Sequence, residues 1–266
     1  MKKVIALAVV VVLSVGSQGI AYSAEGMYPW RVVNNTVTTL DKNLEDGSMI
    51  GLGVSYPERP YKGMDNDAVV MPLVIAEYKQ FFMNAVVMGY YFNKPTEALR
   101  FGIIGAPYFG GYHSSDSSDL AGMEDRDMGF DSGVRMNWKN SFFNLNVDAL
   151  TDISGTSEGQ QVNVGVSKVF FHGFLKPKAG IIWQSAESVD YYYGVKAGEA
   201  TGARSEYSPH SELEYFLGLR MGIPLGEKWA IVSDVQANFL GSEVKDSPIV
   251  DESALMRYTL GMVYRF

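Results

Sequence analysis

The sequence predicts an all-β protein, a transmembrane antiparallel β-barrel of about 10 to 12 strands, and three observations support this. A cationic start is followed by a short apolar stretch. From Ser48 onward, apolar residues alternate with polar ones in runs of strand length. The connections between these runs alternate between short and long. Composition agrees, because 16 Tyr, 14 Phe and 4 Trp favour strands and aromatic girdles at a membrane interface.

Residues 1–23 have the pattern of a secretory signal peptide. Lys2 and Lys3 precede an apolar run over residues 4–15, and small residues follow around Ala21 to Ala24. The apolar run is shorter than the roughly 20 residues that a membrane-spanning helix needs. We therefore exclude residues 1–23 from the fold and expect the remaining chain to be exported.

Composition and charge exclude several classes of protein. The chain has no cysteine, so an exported form relies on hydrogen bonding and packing rather than on disulfides. Its net charge of -8 argues against nucleic-acid binding. No later segment resembles an apolar helical span, so an exported protein of this kind is either soluble or crosses a membrane with strands.

The alternating runs are about nine to thirteen residues long, the length that a tilted strand needs to cross a bilayer. Soluble strands are usually shorter. The runs cover residues 48–56, 70–79, 81–92, 99–109, 129–138, 142–153, 160–171, 175–185, 211–225, 229–240 and 254–266.

The last run shows the alternation most clearly. One face is apolar and aromatic, whereas the other is small or charged; the apolar face carries Ala254, Met256, Tyr258, Leu260, Met262, Tyr264 and Phe266. A soluble sandwich and a membrane barrel both produce this pattern, with opposite faces turned outward. Strand length, the signal peptide and Trp138, Trp183 and Trp229 at run ends favour the barrel. On this basis alone, Gly261→Arg, facing the lumen, should harm assembly less than Leu260→Arg.

The connections predict orientation and strand number. Lys139–Asn140, 172–174 and 226–228 are tight turns, whereas 110–128, 186–210 and 241–253 are long, polar and expected outside the cell. The sequence contains eleven such runs, which is an odd number, whereas single-chain bacterial barrels have an even number of strands. Either Trp30–Leu40 adds a twelfth strand, or residues 70–92 form one long strand and the count is ten. We favour twelve. Residues 24–47 are thus a first strand or a periplasmic extension, ahead of a barrel over 48–266.

Inward-facing charges are the most informative polar residues of the predicted barrel. Six are basic and five acidic, so they can either cross-link the lumen or line a narrow polar channel, and the near balance favours mutual neutralisation. These lumen-lining charges are Asp131, Arg135, Asp148, Lys176, Lys178, Glu212, Glu214, Arg220, Asp234, Arg257 and Arg265.

Several short motifs occur in the connections and strands in the order Pro60–Asp65, Pro72, Tyr78, Leu120–Asp125, Pro177–Trp183, Tyr191–Val195, Ser247–Val250 and Tyr264–Phe266. Together they resemble the MipA/OmpV family of outer-membrane proteins. The resemblance covers nearly the whole chain after the signal peptide. It also implies that Tyr264 and Phe266, in the last strand, act as an assembly signal.

The resemblance implies a non-enzymatic barrel in the outer membrane of a Gram-negative bacterium, surrounded by lipid. Its implied role is a scaffold that joins a murein transglycosylase to a murein synthase in cell-wall metabolism. Other family members are porin-like or adhesive, so a narrow channel or a surface adhesin is the alternative. A periplasmic partner would dock on the inner turns around 93–98 and 226–228, or on Tyr28 and Trp30 of the N-terminal segment, because aromatic anchors favour interaction hot spots.

Candidate chemical sites in the loops are weaker. His113, Ser114, Ser115 and Asp116 supply the residue types of a catalytic triad, but neighbours in one loop are expected to be solvated rather than held in catalytic geometry. The acidic residues between 116 and 127, like Asp65 and Asp67, lack the spacing of a calcium loop. We therefore expect no catalytic residue, metal site or cofactor. The Tyr191–Tyr193 run is either a platform for a partner or sugar, or part of interfacial packing.

Overall fold

The computed structural model describes residues 48–265, apart from the side chain of His172. The predicted signal peptide, the segment 24–47 with Tyr28 and Trp30, and Phe266 lie outside the described residues. The expectations attached to these parts of the chain therefore rest on sequence.

Over residues 48–265, twelve strands and two short α-helices make up the regular structure. The strands are β1 Met49–Pro57, β2 Val69–Tyr78, β3 Phe81–Asn84, β4 Val87–Tyr91, β5 Leu99–Tyr108, β6 Gly129–Lys139, β7 Asn144–Asp152, β8 Gln160–Ser167, β9 Leu175–Gln184, β10 Glu212–Leu225, β11 Trp229–Phe239 and β12 Ala254–Arg265. The helices are α1 Ala186–Tyr193 and α2 Ser242–Lys245, and 3-10 turns cover Ser118–Leu120 and Phe171–Gly173. Over residues 48–265, none of the helices has the length and apolar character of a membrane span.

The strands form one closed antiparallel barrel in which each pairs with its sequence neighbours and β1 pairs with β12. The closing register runs without interruption from Met49 opposite Arg265 to Pro57 opposite Arg257. Closure satisfies the backbone polar groups of both terminal strands, which lipid could not do. The prediction of an all-β barrel with twelve strands is confirmed.

The origin of the twelfth strand differs from both sequence-based alternatives. The run 81–92 is a hairpin of two strands, β3 and β4, joined at Ala85 and Val86. Ala85 adopts a positive φ of 51°, a conformation that apolar alternation does not reveal. The barrel therefore reaches an even count without any contribution from Trp30–Leu40.

Side-chain facing inverts that of a soluble protein. Large apolar residues on the outer face are strongly exposed, among them Leu52, Val54, Leu217, Leu260 and Met262. Charged and amide side chains on the inner face are buried, among them Arg135, Asp148, Glu214 and Gln236. Because lipid solvates the outer face and the lumen encloses the inner one, this is the arrangement of a transmembrane barrel.

The two ends of the barrel differ. Connections at the end where β12 terminates are short, as at Lys79–Gln80 and 226–228, whereas those at the other end reach 109–128 and 185–211. Outer-membrane barrels have short periplasmic turns and longer outer loops. We therefore refer to the end at Arg265 as the inner rim and to the opposite end as the outer mouth.

Gly261 lies in a tightly packed part of the last strand. Leu73 packs over it from β2, so that an added Cβ would lie 2.4 Å from Leu73 Cδ1 and 2.8 Å from the Leu52 carbonyl oxygen. The lumen has no room for an arginine here. Facing the lumen therefore does not make Gly261→Arg a mild change, because side-chain facing does not report local packing, and its ranking against Leu260→Arg stays a prediction.

We expect Leu260→Arg to destabilise the barrel, because Leu260 is 60% exposed on the outer face near the middle of β12. The cost should be about 2 to 4 kcal/mol, and Met256→Arg, on the same face nearer the strand end, should cost less. Urea unfolding in lipid vesicles, followed by heat-modifiable gel migration, measures both. Equal losses would contradict the assigned depth of Leu260.

Candidate functional site

One buried ion pair crosses β6 and β7 inside the barrel. Arg135 donates from Nε to Asp148 Oδ1 at 2.7 Å and from a terminal nitrogen to Asp148 Oδ2 at 2.8 Å. The two side chains are only 2% and 0% exposed. Asn146 adds a donor to Asp148 Oδ2 at 3.0 Å. A fork-shaped guanidinium matches a carboxylate in this way, so both charges are compensated although neither meets water.

A second cluster is centred on Asp234 of β11. Lys178 Nζ lies 2.8 Å and 2.9 Å from the two carboxylate oxygens, and Arg220 Nε donates at 3.0 Å. Arg257 approaches the same carboxylate at 3.8 Å. The adjacent strands β9 to β12 thus place three cations around one carboxylate. The cluster ties four neighbouring strands together across the inside of the sheet.

Other polar side chains on the inner face of the barrel hydrogen-bond to one another. Gln184 donates to Glu214 Oε1 at 3.0 Å, and Gln236 donates to Asn238. The eleven sequence-proposed lumen residues all lie on inward positions, and Arg265 lies at the inner rim. Asp131, Arg135, Asp148, Lys176, Lys178, Glu212, Glu214 and Asp234 are buried, whereas Arg220, Arg257 and Arg265 are half-buried.

The long outer loops pack together over the outer mouth, and we call this assembly the cap. It has its own apolar core, built by residues from four loops and the adjoining strand ends: Tyr61, Tyr108, Tyr112, Leu120, Met123, Val189, Tyr192, Tyr193, Val195, Leu240, Val244, Ile249, Val250 and Leu255. Tyr192 and Tyr193 of α1 are fully buried here, so the tyrosine run serves packing rather than presenting three exposed rings.

Buried polar contacts hold the cap together. Arg126 donates to both Glu199 carboxylate oxygens at 2.9 Å and 3.0 Å and to the Tyr191 carbonyl at 2.7 Å. Arg204 donates to the carbonyls of Asp119 and Glu199. Gly111, with φ of 111°, lies against the Arg126 carbonyl where any Cβ would clash. On the barrel side, Glu212 accepts from the N–H of Val244 in α2 at 3.1 Å.

Sequence patterns do not mark the residues that build the cap. Arg126 and Glu199 are 73 positions apart and lie in loops without periodicity, so only the folded chain brings them together. The predicted solvated loops are instead packed over much of their length. The only local signal is that Arg126 is a lone cation in an acidic stretch.

The loop around His113 is organised by hydrogen bonds rather than as a triad. His113 Nδ1 lies 3.2 Å from Asp125 Oδ2, and Asp125 also accepts from the N–H of Ser114. Asp116 accepts from the N–H of His113 at 2.8 Å. In the part of the chain that the structure describes, no three acidic or histidine side chains are grouped so as to hold a metal ion.

The inner rim carries exposed aromatic residues on two adjacent turns. Phe142 and Phe171 are each 72% exposed, and Phe170 and Phe174 are exposed beside them. Asn140 Oδ1 accepts from the N–H groups of Phe142 and Phe143, which fixes the first turn. Nearby, Tyr264 packs its ring 5.0 Å from Trp229 and accepts a hydrogen bond from Lys228. The rim therefore combines short, well-defined turns with accessible apolar rings.

Comparisons with known proteins give the following similarities. The sequence profile of the family described as "MltA-interacting protein MipA" matches residues 50–266. The MltA-interacting protein of Escherichia coli K12 is 27% identical over 224 residues, covering 82% of this chain and 89% of that protein. The outer membrane protein OmpV of Vibrio cholerae is 28% identical over 157 residues, 58% of this chain and 61% of that protein. A bacterial polysaccharide outer membrane secretin of known structure aligns over 83% of this chain and 98% of its own, with 9% identity and a TM-score of 0.43.

We expect Arg135→Leu to destabilise the barrel strongly, because it leaves the fully buried Asp148 carboxylate without its guanidinium. Removing one partner of a buried pair costs about 3 to 5 kcal/mol. The double variant Arg135→Leu/Asp148→Leu should lose less than the single one. Denaturant unfolding of the two variants measures the difference, and a double variant as unstable as the single would show that packing dominates.

We expect the cap to loosen in acid, through Glu199. Burial alone raises the pKa of this carboxyl, but the N–H groups of Glu124 and Lys196 and the Arg126 guanidinium outweigh it and hold the pKa below its usual range. A depressed pKa stabilises the fold above the ordinary glutamate value of about 4.3 and ceases to do so as pH falls through the folded-state pKa. Protease cleavage of the outer loops of the intact barrel should therefore increase as pH falls from about 4.3 through the folded-state pKa.

A matched pair of variants isolates this effect. Glu199→Gln should make cleavage of the cap high and nearly independent of pH. Lys196→Ala removes the exposed ion pair with Glu124 and should change little, because exposed pairs contribute about 0 to 1 kcal/mol. An unchanged pH profile in Glu199→Gln would assign the acid sensitivity to another group.

Proposed function

This chain belongs to the MltA-interacting protein (MipA) family and is an outer-membrane β-barrel, and on that premise we propose that it is a scaffold for cell-wall enzymes. Its partners in this proposal are a murein transglycosylase and a murein synthase, which act on the periplasmic side. The relative in Escherichia coli is named for interaction with MltA. Neither that name nor that of OmpV denotes an enzyme.

The observation that carries the proposal is the mutual compensation of charges inside the barrel. Arg135 with Asp148, and Lys178 with Asp234, are buried pairs whose charges already compensate one another. The cap covers the outer mouth with a packed apolar core. Function at the periplasmic side then depends on the surface of the inner rim rather than on passage through the lumen.

The exposed rings at the inner rim suit a docking role. Phe142 and Phe171 project from turns that are held by backbone hydrogen bonds, and preformed aromatic anchors bind a partner at little entropic cost. Short turns alone provide less than the ~800 Å² per partner of a standard interface. The turns at 93–98 and 226–228 and the segment 24–47 would extend the surface.

The position of Met49 suits a docking role for the N-terminal segment. Met49 lies opposite Arg265, so the chain enters the barrel at the inner rim. Since β1 and β12 already close the barrel, deleting residues 27–42 should leave a heat-modifiable barrel. In the scaffold proposal, the same deletion weakens capture of the murein transglycosylase, with Tyr28 and Trp30 as its anchors.

Site-specific photo-crosslinking in intact cells tests the proposal. A photoreactive phenylalanine at position 142 or 171 should crosslink to a murein transglycosylase or synthase identified by mass spectrometry. The same group at Phe130, exposed near the outer end of β6, is the matched control and should not. Crosslinks to lipid alone from 142, 171 and the 27–42 segment would refute docking at the inner rim.

Bilayer recording addresses the alternative of a narrow channel. The purified barrel should show no steady step-like conductance, because the charges of the lumen are paired and the cap covers the outer mouth. Reproducible unitary conductance that disappears in a mutant of the lumen charges would favour the channel over the scaffold.

A further inference from the structure

The barrel wall is interrupted between β2 and β5 in its outer half. The two strands between them, β3 and β4, contain only 4 and 5 residues, and their pairing ends at Asn84 opposite Ile75 and at Met88 opposite Gly105. Beyond the hairpin turn, within the described residues, 69–73 of β2 pair only with β1, and 106–108 of β5 pair only with β6. We call this interruption the lateral opening.

Two prolines border the lateral opening. The Val74 carbonyl accepts from the N–H of Ala85 at 2.7 Å, so even-numbered residues of β2 direct their backbone polar groups toward the opening. The Phe101 carbonyl accepts from the N–H of Phe92 at 2.7 Å, so odd-numbered residues of β5 do the same.

Pro72 and Pro107 occupy such positions, one on each edge. Proline has no N–H, so these edges expose fewer unpaired donors to the membrane. A further strand could not continue the hydrogen-bonded ladder along them. The two prolines therefore make an open edge tolerable and disfavour a protein strand as its occupant.

Apolar side chains close the opening in place of a ladder. Val69, Met71, Leu73 and Ala85 belong to one buried cluster, and Val86 and Phe109 pack against it. Behind them lies a cavity of about 50 Å³, lined by Leu73, Ile75, Ala85 and Val232, with Arg220 and Asp234 also in its lining. Side-chain packing separates far more readily than a paired ladder, because no hydrogen bond is broken.

We propose that the lateral opening is a portal through which the acyl chain of a membrane lipid enters the barrel, with Phe109 as its movable plug. The opening lies in the outer half of the strands, where acyl chains surround the protein. Its border is apolar, and its edges disfavour pairing with a further strand. An acyl chain therefore matches the opening in chemistry and shape. This inference is independent of the scaffold role and survives its failure.

A diazirine-bearing phosphatidylcholine tests the proposal on the unmodified protein in phosphatidylcholine vesicles. After illumination, mass spectrometry should find acyl adducts on inward-facing Met71 or Leu73 as well as on outward-facing Val70. Inward-facing Ile182, buried in β9 where both neighbouring strands are paired, should stay unlabelled. Adducts confined to outward-facing residues would overturn the portal.

A pair of phenylalanine variants tests the plug. Phe109→Ala should raise labelling of Met71 several-fold, whereas Phe101→Ala, exposed in β5 where the wall is paired, should leave it unchanged. Heat-modifiable migration of both variants verifies folding. An equal response of the two variants would contradict the role of Phe109. Stronger labelling of Met71 by a water-soluble diazirine than by the lipid would mean an aqueous opening and refute the proposal.

Discussion

The pairing of β1 with β12 is the constraint on which the rest of the structure depends. A bilayer offers no partner to an unpaired backbone, so the first and last strands must hydrogen-bond to each other along their full length. Glycines make this close approach possible: at Gly51 an added Cβ would lie 2.0 Å from the Met262 carbonyl oxygen. The same closure brings the start of β1 and the end of β12 to the inner rim, where a periplasmic partner would meet the chain.

Closure also determines how the interior must be built. Side chains that face inward leave water and cannot face lipid, so charges survive there only in compensated groups. Arg135 with Asp148 forms one such group, and Asp234 with Lys178, Arg220 and Arg257 forms another. These contacts join strands across the inner surface. They hold neighbouring strands together inside the barrel, which directs attention to the rims and the wall as sites of function.

The barrel is closed by different means at different places. At the outer mouth, the cap combines an apolar core with the buried Arg126–Glu199 pair, so opening it means exposing both. Around most of the wall, backbone ladders hold neighbouring strands. Only above the β3–β4 hairpin do side chains alone fill the space, among them Val86 and Phe109. The energetic cost of separation is therefore uneven around the molecule, and it is lowest at the lateral opening.

Many features of the barrel could be predicted from the sequence alone. Alternation with period two identified the outward face of β12 through Leu260 and Met262, and the inward positions of Arg135, Asp148 and Asp234, because side-chain facing in a strand is a local property. The order of short and long connections also predicted which end of the barrel faces the periplasm, because connection length can be read directly from the sequence. The expectation of an even number of strands followed from the closed antiparallel barrel.

The tertiary structure decided what depends on contacts between distant residues. The split of 81–92 into β3 and β4 rests on a positive φ at Ala85 that no periodicity reveals, and the tight fit at Gly261 rests on Leu73 from another strand. The cap depends on Arg126 meeting Glu199, and the lateral opening on Pro72 and Pro107 lying at facing edges. Such features have no local signature, because each is a relation between segments that only the closed barrel brings together.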